Sequence, residues 1–184
     1  QCCALMSAHP DLHICVRDRT SFELASSMTK YVYLLPDMAH QLWPLGKKRT
    51  SHKRTLGFLR TDGERKISGD VKADDTIDWP ALVGSRRSIF PLIQKCMRIL
   101  HLLRMDRKLV TTEMDLWISY ADHLVEEAIE LFSHYDNVVT DRLHGHILAC
   151  LMHMPNVIHD NSYRKNSQYV SAWTAQSTIV TLVI

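Results

Sequence analysis

From Asn137 onward, short apolar strands alternate with helices, and this pattern limits the chain's folds more than any other feature. Residues 137–141 (NVVTD) read as a buried strand. Arg142 to His153 reads as a helix with Ile147, Leu148, Leu151 and Met152 apolar, ended by Pro155. Asn156 to His159 is another strand, residues 160–166 a polar loop, Ser167 to Thr174 a last helix, and Ile179 to Ile184 an apolar tail. The earlier chain repeats the alternation. Residues 12–18 (LHICVRD) form a short buried strand ending in charge; Thr20 and Ser21 offer an N-cap to a helix over Phe22–Met28; Tyr31–Leu35 is a second strand stopped by Pro36. A helical turn at Met38–Leu42 and a strand at Thr55–Arg60 follow. Strands separated by helical crossovers pair in parallel, so the pattern predicts an α/β fold with a doubly wound sheet.

Between these units the reading is coarser. Residues 46–53 are basic and non-periodic, and read as a linker; residues 63–80 are polar, and read as loop. Ile89, Leu92, Ile93, Met97, Leu100 and Leu103 place a helix over Ser88–Arg104. Trp117 to Tyr135 has the clearest helical period, with Ile118, Ala121, Leu124, Val125, Ala128, Ile129, Leu131 and Phe132 on one face and Asp122, Glu126, Glu127 and Glu130 on the other.

The 184 residues are 46% hydrophobic and 23% charged, values that exclude intrinsic disorder. Against 22 Lys+Arg stand 20 Asp+Glu, so no basic excess points to nucleic acid. The five cysteines form no Cys-x-x-Cys pair; Cys2 and Cys3 are adjacent, and Cys15 and Cys150 sit in apolar runs, a pattern of free thiols in a reducing compartment. No apolar run has transmembrane length and no signal peptide is recognised. The start at Gln1 rather than Met reads as a truncation or a missing upstream segment.

The densest chemistry lies in residues 138–146 (VVTDRLHGH). A buried strand there delivers Asp141, Arg142 and His144 onto the mouth of a helix, and open α/β sheets bind ligands outside the carboxyl ends of their strands. Helix N-termini attract anions, Arg142 adds a fork suited to phosphate or carboxylate, and His144 can exchange protons near neutral pH. Gly145 allows close backbone approach. The competing reading makes Asp141 a helix cap and Arg142 its surface partner. Arg17, Asp18 and Arg19 are a second anion candidate or a solvated strand end. His144 and His146 are two apart on a helix and do not face one way, so no metal site is expected. No GxSxG, Walker-type or GxGxxG motif is present.

The stretch 137–149 (NVVTDRLHGHILA) resembles the signature of the polysaccharide pyruvyl transferase family, as does 154–163 (MPNVIHDNSY) with Lys165 and Asn166. Val16-Arg17-Asp18 with Ser21, Leu35-Pro36-Asp37-Met38-Ala39, and 58–64 (FLRTDGE), similar to the exopolysaccharide members' Arg-x-Asp-x-Glu strand end, follow in family order. Where the family type has Gly before the loop lysine, this chain has Arg164.

The resemblance implies two Rossmann-like domains in a glycosyltransferase-B-like architecture, here incomplete. Residues 1–45 would end the N-terminal domain and 54–184 form the C-terminal one, without the upstream Gly-rich loop. It implies a transferase that moves a pyruvyl group from phosphoenolpyruvate onto a sugar of an exopolysaccharide or its lipid-linked precursor, forming a pyruvate ketal. Arg17, Arg142, Leu143 and His144 would hold phosphoenolpyruvate, and Asn161, Ser162 and Lys165 would contact substrate. Two anionic groups on the donor need two cationic clusters, and Arg17 and Arg142 supply them. His144 is the candidate for proton transfer, with Asp18 or Asp141 as its partner or as an orienter of arginine. No cofactor beyond the donor substrate is expected. The partners are phosphoenolpyruvate and a sugar acceptor, with no nucleic acid, in the cytoplasm or peripherally at the inner membrane face beside a lipid-linked glycan. A nucleotide-sugar glycosyltransferase of similar fold and an inactive interaction fragment stay open as alternatives.

Overall fold

The structure, a computed structural model, describes residues 2–45, 54–63, 71–84 and 106–184, with 95, 98 and 99 besides. The linker at 46–53 and nearly all of the helix expected over 88–104 lie outside the described residues.

Two parallel sheets organise the chain. The first pairs β1 (His13–Val16) with β2 (Tyr31–Leu34), connected through α2 (Arg19–Ser26), after a short α1 (Cys2–Ala8). The second has five parallel strands in the order β4-β3-β5-β6-β7, namely β4 (Asp75–Ile77), β3 (Thr55–Phe58), β5 (Asn137–Thr140), β6 (Asn156–His159) and β7 (Val180–Val183). This is the α/β parallel architecture that the alternation predicts.

Several local expectations are corrected. The region 63–80 is not all loop: it holds β4 and the start of α3 (Trp79–Val83), because Asp78 caps the helix and Pro80 sits in its first turn, where no N–H is needed. The apolar tail is β7, a full edge strand in register with β6. The N-cap of α2 is Asp18 rather than Thr20 or Ser21; its Oδ1 accepts the Ser21 N–H at 2.7 Å. Strand β1 is half exposed rather than buried, and Cys15 with it, since only one neighbouring strand and α2 cover it. The long helix α4 (Asp106–Ser133) starts earlier than its period suggested, and only its C-terminal end is docked: Ala128 and Phe132 are buried while Ile118 and Val125 are exposed.

The core sits where α4 and α5 (Leu143–Leu151) cover the five-stranded sheet. Leu56 and Phe58 of β3, Val138 of β5, and Phe132 of α4 are fully enclosed. Phe58 is its pivot, edge-on to Trp79 at 5.0 Å and to Phe132 at 5.3 Å between ring centroids. Burial of such a side chain stabilises by about 1.5–3 kcal/mol, and each edge-to-face pair adds about 0.5–1.5 kcal/mol. Helix α5 presses onto β3 and β5 through Gly145: a Cβ there would lie 2.7 Å from Phe58 Cδ1 and 2.9 Å from Thr140 Oγ1. The glycine is therefore required for packing. A second buried tie joins α5 to β6 and the C-terminal π-helical turn (Val170–Thr174). His146 Nδ1 donates to Asn156 Oδ1 at 2.7 Å, and Nε2 accepts from the Thr174 hydroxyl at 3.0 Å. Burial depresses the His146 pKa, which keeps the imidazole neutral in this bridge.

Gly145→Ala is expected to lower unfolding stability by about 1–3 kcal/mol through overpacking against Phe58. Urea unfolding monitored by circular dichroism checks it; an unchanged midpoint contradicts the close approach.

Candidate functional site at the sheet's switch point

After β3 the chain moves to one side to form β4, then returns past β3 to form β5, β6 and β7 on the other. The winding therefore reverses between β3 and β5, and the crevice outside the carboxyl ends of such a strand pair is where open α/β sheets bind ligands. A cleft of about 200 Å³ lies there, and Arg17, Arg60, Arg142 and Lys165 all line it, with Leu143, His144 and Asn161. Three of the cations follow the ends of β1, β3 and β5, and Lys165 opens the short helix Lys165–Tyr169 beyond the loop after β6. The helix N-terminus that faces them is Arg142, the N-cap of α5, which makes no side-chain cap. The anion-attracting end of α5 is thus open to the cleft.

Each arginine is held by a carboxylate. Arg142 grips Asp78 side-on, with Nε to Oδ1 at 2.9 Å and Nη2 to Oδ2 at 2.7 Å. Asp78 is 2% exposed and also accepts the Thr61 N–H and hydroxyl and the Trp79 N–H. Burial raises its pKa, but the Arg142 fork and these donors outweigh it and leave the carboxyl below its ordinary value. Arg60 pairs with Asp62 through Nε at 2.8 Å. Arg17 Nη1 donates to Asp37 Oδ2 at 2.8 Å, and His144 Nε2 stands 3.4 Å from the same oxygen. Asp37 thereby brings the end of β2 against the first turn of α5. Two C-terminal side chains hold this junction: the Asp37 N–H donates to the Tyr169 hydroxyl at 3.1 Å, and Trp173 Nε1 donates to the Arg17 carbonyl at 2.8 Å. The Lys165 ammonium lies over the Tyr163 ring at 5.1 Å.

Asp141 follows neither of the roles read from sequence as cap or surface partner. It is 1% exposed, and its Oδ1 accepts the Arg60 N–H at 2.8 Å, tying β5 to β3 directly beneath the cleft. Its Oδ2 is buried without a hydrogen-bond partner among the described residues. Burial raises the Asp141 pKa and so favours the proton-bearing form. Arg142, expected beside Asp141, turns instead to Asp78.

The expected site residues divide. Arg17, Arg142, Leu143, His144, Asn161 and Lys165 meet at the cleft. Ser162 is exposed and lines neither this cleft nor the neighbouring cavity. Asp18 lies in a larger adjoining cavity of about 670 Å³ and is committed to capping α2. The loop after β6 is shaped by Asn161 Oδ1, which accepts the Tyr163 and Lys165 N–H groups at 3.2 and 3.0 Å. Arg164 adopts φ 56°, the left-handed region that glycine enters freely, so the loop keeps a glycine-type backbone at a cost of about 1 kcal/mol. The sequence points to Arg60 through the Arg-x-Asp-x-Glu strand end without a site role, and it assigns Asp78 no site role. Asp78 had a signal, since Asp-Trp-Pro is a helix start with Pro in the first turn.

Among the described residues no three His, Cys, Asp or Glu side chains converge to hold a metal ion. Among them, too, no helix is long and apolar enough to cross a membrane.

A parallel α/β sheet whose winding reverses between β3 and β5 defines a Rossmann-like fold. The chain belongs to the polysaccharide pyruvyl transferase family, whose model matches residues 1–163. It is 35% identical over 174 residues to EpsO of Bacillus subtilis (strain 168), a protein named as a pyruvyl transferase; the match spans 92% of this chain and 52% of EpsO. The chain thus spans about half the length of that relative. A crystal structure of an uncharacterized protein from Klebsiella pneumoniae subsp. pneumoniae NTUH-K2044 shares the fold with a TM-score of 0.58 at 17% identity, over 99% of this chain and 59% of that one.

Asp78→Ala leaves Arg142 the longer contact to Asp62, at 3.4 Å, and is expected to destabilise by about 1–3 kcal/mol. Because the native Asp78 pKa is depressed, its contribution is fully present above the unfolded value of about 3.9 and is lost as pH falls through the native value. Acid titrations of Asp78→Asn should accordingly show a shallower stability loss below pH ~4 than the parent; identical slopes contradict the pairing.

Proposed function

We propose that this chain carries the donor site of a pyruvyl transferase, which moves the enolpyruvyl unit of phosphoenolpyruvate onto a sugar of an exopolysaccharide or its lipid-linked precursor. The observation that carries the reading is the convergence of Arg17, Arg60, Arg142 and Lys165 on the open N-terminus of α5. A small cleft with cations on several sides suits a small ligand bearing both phosphate and carboxylate. Paired carboxylates offset part of that charge and hold the arginine side chains in place.

The chemistry then needs protons moved at defined atoms. The donor's methylene carbon takes a proton and becomes a methyl group. A sugar hydroxyl adds to C2 and gives up its proton; a second hydroxyl then displaces phosphate and passes its proton to the departing group, the C2–O bond to phosphate breaking as the cyclic ketal closes. His144, at the cleft wall and within 3.4 Å of Asp37, is the group placed to exchange one of these protons. Arg142 and Arg17 stabilise the departing phosphate and hold the carboxylate. Asp141 serves as an organiser, through its hydrogen bond to the Arg60 backbone. In this reading residues 1–45 end an N-terminal Rossmann-like domain, 46–53 link, and 54–184 form the C-terminal domain. The protein works in the cytoplasm or peripherally at the inner membrane face. No resident cofactor is assigned to it.

Titration calorimetry with phosphoenolpyruvate tests the donor site. Arg142→Lys keeps the charge but loses the planar fork, so binding should weaken by on the order of 1–3 kcal/mol. In a turnover-competent protein His144→Ala should slow turnover roughly 10²–10⁴-fold, with binding better preserved in His144→Gln. A nucleotide sugar that binds where phosphoenolpyruvate does not would turn the reading to a glycosyltransferase; activity abolished by chelator and restored by zinc would return His144 to a metal.

A further inference from the structure

The sequence pairs His144 with Asp18 or Asp141, and the fold commits both elsewhere. The two Asp18 oxygens bind Ser21, at 2.7 and 2.9 Å, while Asp141 gives Oδ1 to the Arg60 N–H and keeps Oδ2 buried. Asp37 reaches the ring instead: its Oδ2 stands 3.4 Å from His144 Nε2 and 2.8 Å from Arg17 Nη1. We propose that Asp37 is a positioning residue for the transfer: it keeps His144 Nε2 turned toward its carboxylate, leaves Nδ1 for the travelling proton, and balances the charge that the ring carries. The inference rests on the donor reading above and deepens it, by giving His144 its partner and its working nitrogen.

The carboxylate is held from two sides before any ligand arrives. Asp37 caps the turn Met38–Leu42, its Oδ1 accepting the Ala39 N–H at 3.1 Å. Its own N–H donates to the hydroxyl of the buried Tyr169 at 3.1 Å. One oxygen is thus engaged with backbone, and the other faces Arg17 and His144 together. Burial pushes the Asp37 pKa up, but the Ala39 N–H, Arg17 and His144 outweigh it and leave the carboxyl below its ordinary value, in the charged form.

The surroundings of His144 make such a partner necessary. Arg17, Arg60, Arg142 and Lys165 line the cleft with it. Positive charge on the ring is unfavourable among these cations and in the first turn of α5, and a carboxylate at ion-pair distance offsets that cost. A neutral ring that donates Nε2–H to Asp37 carries its lone pair on Nδ1, and a charged ring carries a proton there. In the transfer, the π pair of the donor's C=C bond takes the Nδ1 proton of the charged ring, so the methylene carbon becomes methyl. The first sugar hydroxyl then bonds through oxygen to the electron-poor C2, and its proton passes to Nδ1. The ring ends as it began, with Nε2–H directed at Asp37 throughout. Asp37 itself touches none of the reacting atoms.

A mutant cycle in a turnover-competent protein tests this, together with calorimetry and NMR on the chain itself. Asp37→Asn keeps an acceptor for Arg17 and for the Ala39 N–H but removes the charge. It should lower kcat roughly tenfold to a hundredfold while phosphoenolpyruvate affinity stays within about threefold, and Asp37→Glu should recover part of the rate. In a His144→Gln background, Asp37→Asn should change kcat by less than about threefold, because its effect passes through the ring. Imidazole nitrogen spectra of the histidine-labelled chain at pH ~8, with His144 identified by its loss in His144→Gln, should show the Nε2–H tautomer in the parent and a mixture in Asp37→Ala. The parent rate in Asp37→Asn, kcat and affinity falling by one factor, additive effects in the cycle, or a tautomer indifferent to Asp37→Ala would each overturn the proposal. A tautomer set by Asp37 in a chain that binds no phosphoenolpyruvate would uphold the Asp37–His144 pair and remove the donor reading instead.

Discussion

The parallel pairing of β3 with β5 is the constraint on which the rest of the molecule depends. Thr55 through Phe58 run in register with Asn137 through Thr140, although about 80 residues separate them in the chain. That pairing makes the sheet reverse its winding there, and it brings the two strand ends side by side. The Asp141 carboxylate can then take the Arg60 N–H, and Phe58 comes to lie under Gly145. A bulkier residue at 145 would push α5 away from the sheet and carry Arg142 and His144 with it. The close packing of one helix on two strands therefore sets the height of the site above the sheet.

On that frame the electrostatics are arranged by pairing rather than by an excess of charge. The chain as a whole is nearly neutral, yet the cleft gathers cations because the ends of β1, β3 and β5 and the helix that begins at Lys165 each contribute one. Carboxylates from neighbouring loops hold the arginine side chains still, and a buried bidentate partner such as Asp78 contributes geometry more than net stability. Asp78 holds the Arg142 fork by one edge, and Asp62 stands 3.4 Å from the same Nη2. The N-terminal sheet takes part through Arg17 and Asp37, and Tyr169 and Trp173 bond to the backbone of those two residues from the last turns of the chain.

Much of this was readable from residue order. The strand–helix alternation foretold a parallel α/β fold, and the stretch from Val138 to His146 marked a strand end feeding a helix. The His144–His146 spacing also read correctly as two different environments: one ring faces the cleft, and the other is locked between Asn156 and Thr174. What failed to show were contacts made over long loops. Residues 63–80 look polar, yet Asp75–Ile77 forms an edge strand, because an edge strand needs only one apolar neighbour. The exposed half of α4 has the same helical period as its docked half, since period reports which residues share a face and says nothing of whether anything covers it.

Sequence alone determined the strand–helix–strand order from Asn137 to His159, the family motif at residues 140–145 and the residue types that can meet an anion. These are local properties, decided by side-chain period, capping and the backbone freedom of neighbours a few positions apart. Tertiary structure alone decided that Arg142 binds Asp78 rather than Asp141, that Asp141 is buried with its Oδ2 unpartnered among the described residues, and that Asp37 stands between Arg17 and His144. Those outcomes depend on strand order and on which loops meet at the reversal point. Ion pairs form with whichever carboxylate the fold brings within reach, and for Arg142 that carboxylate lies 64 positions away in the chain.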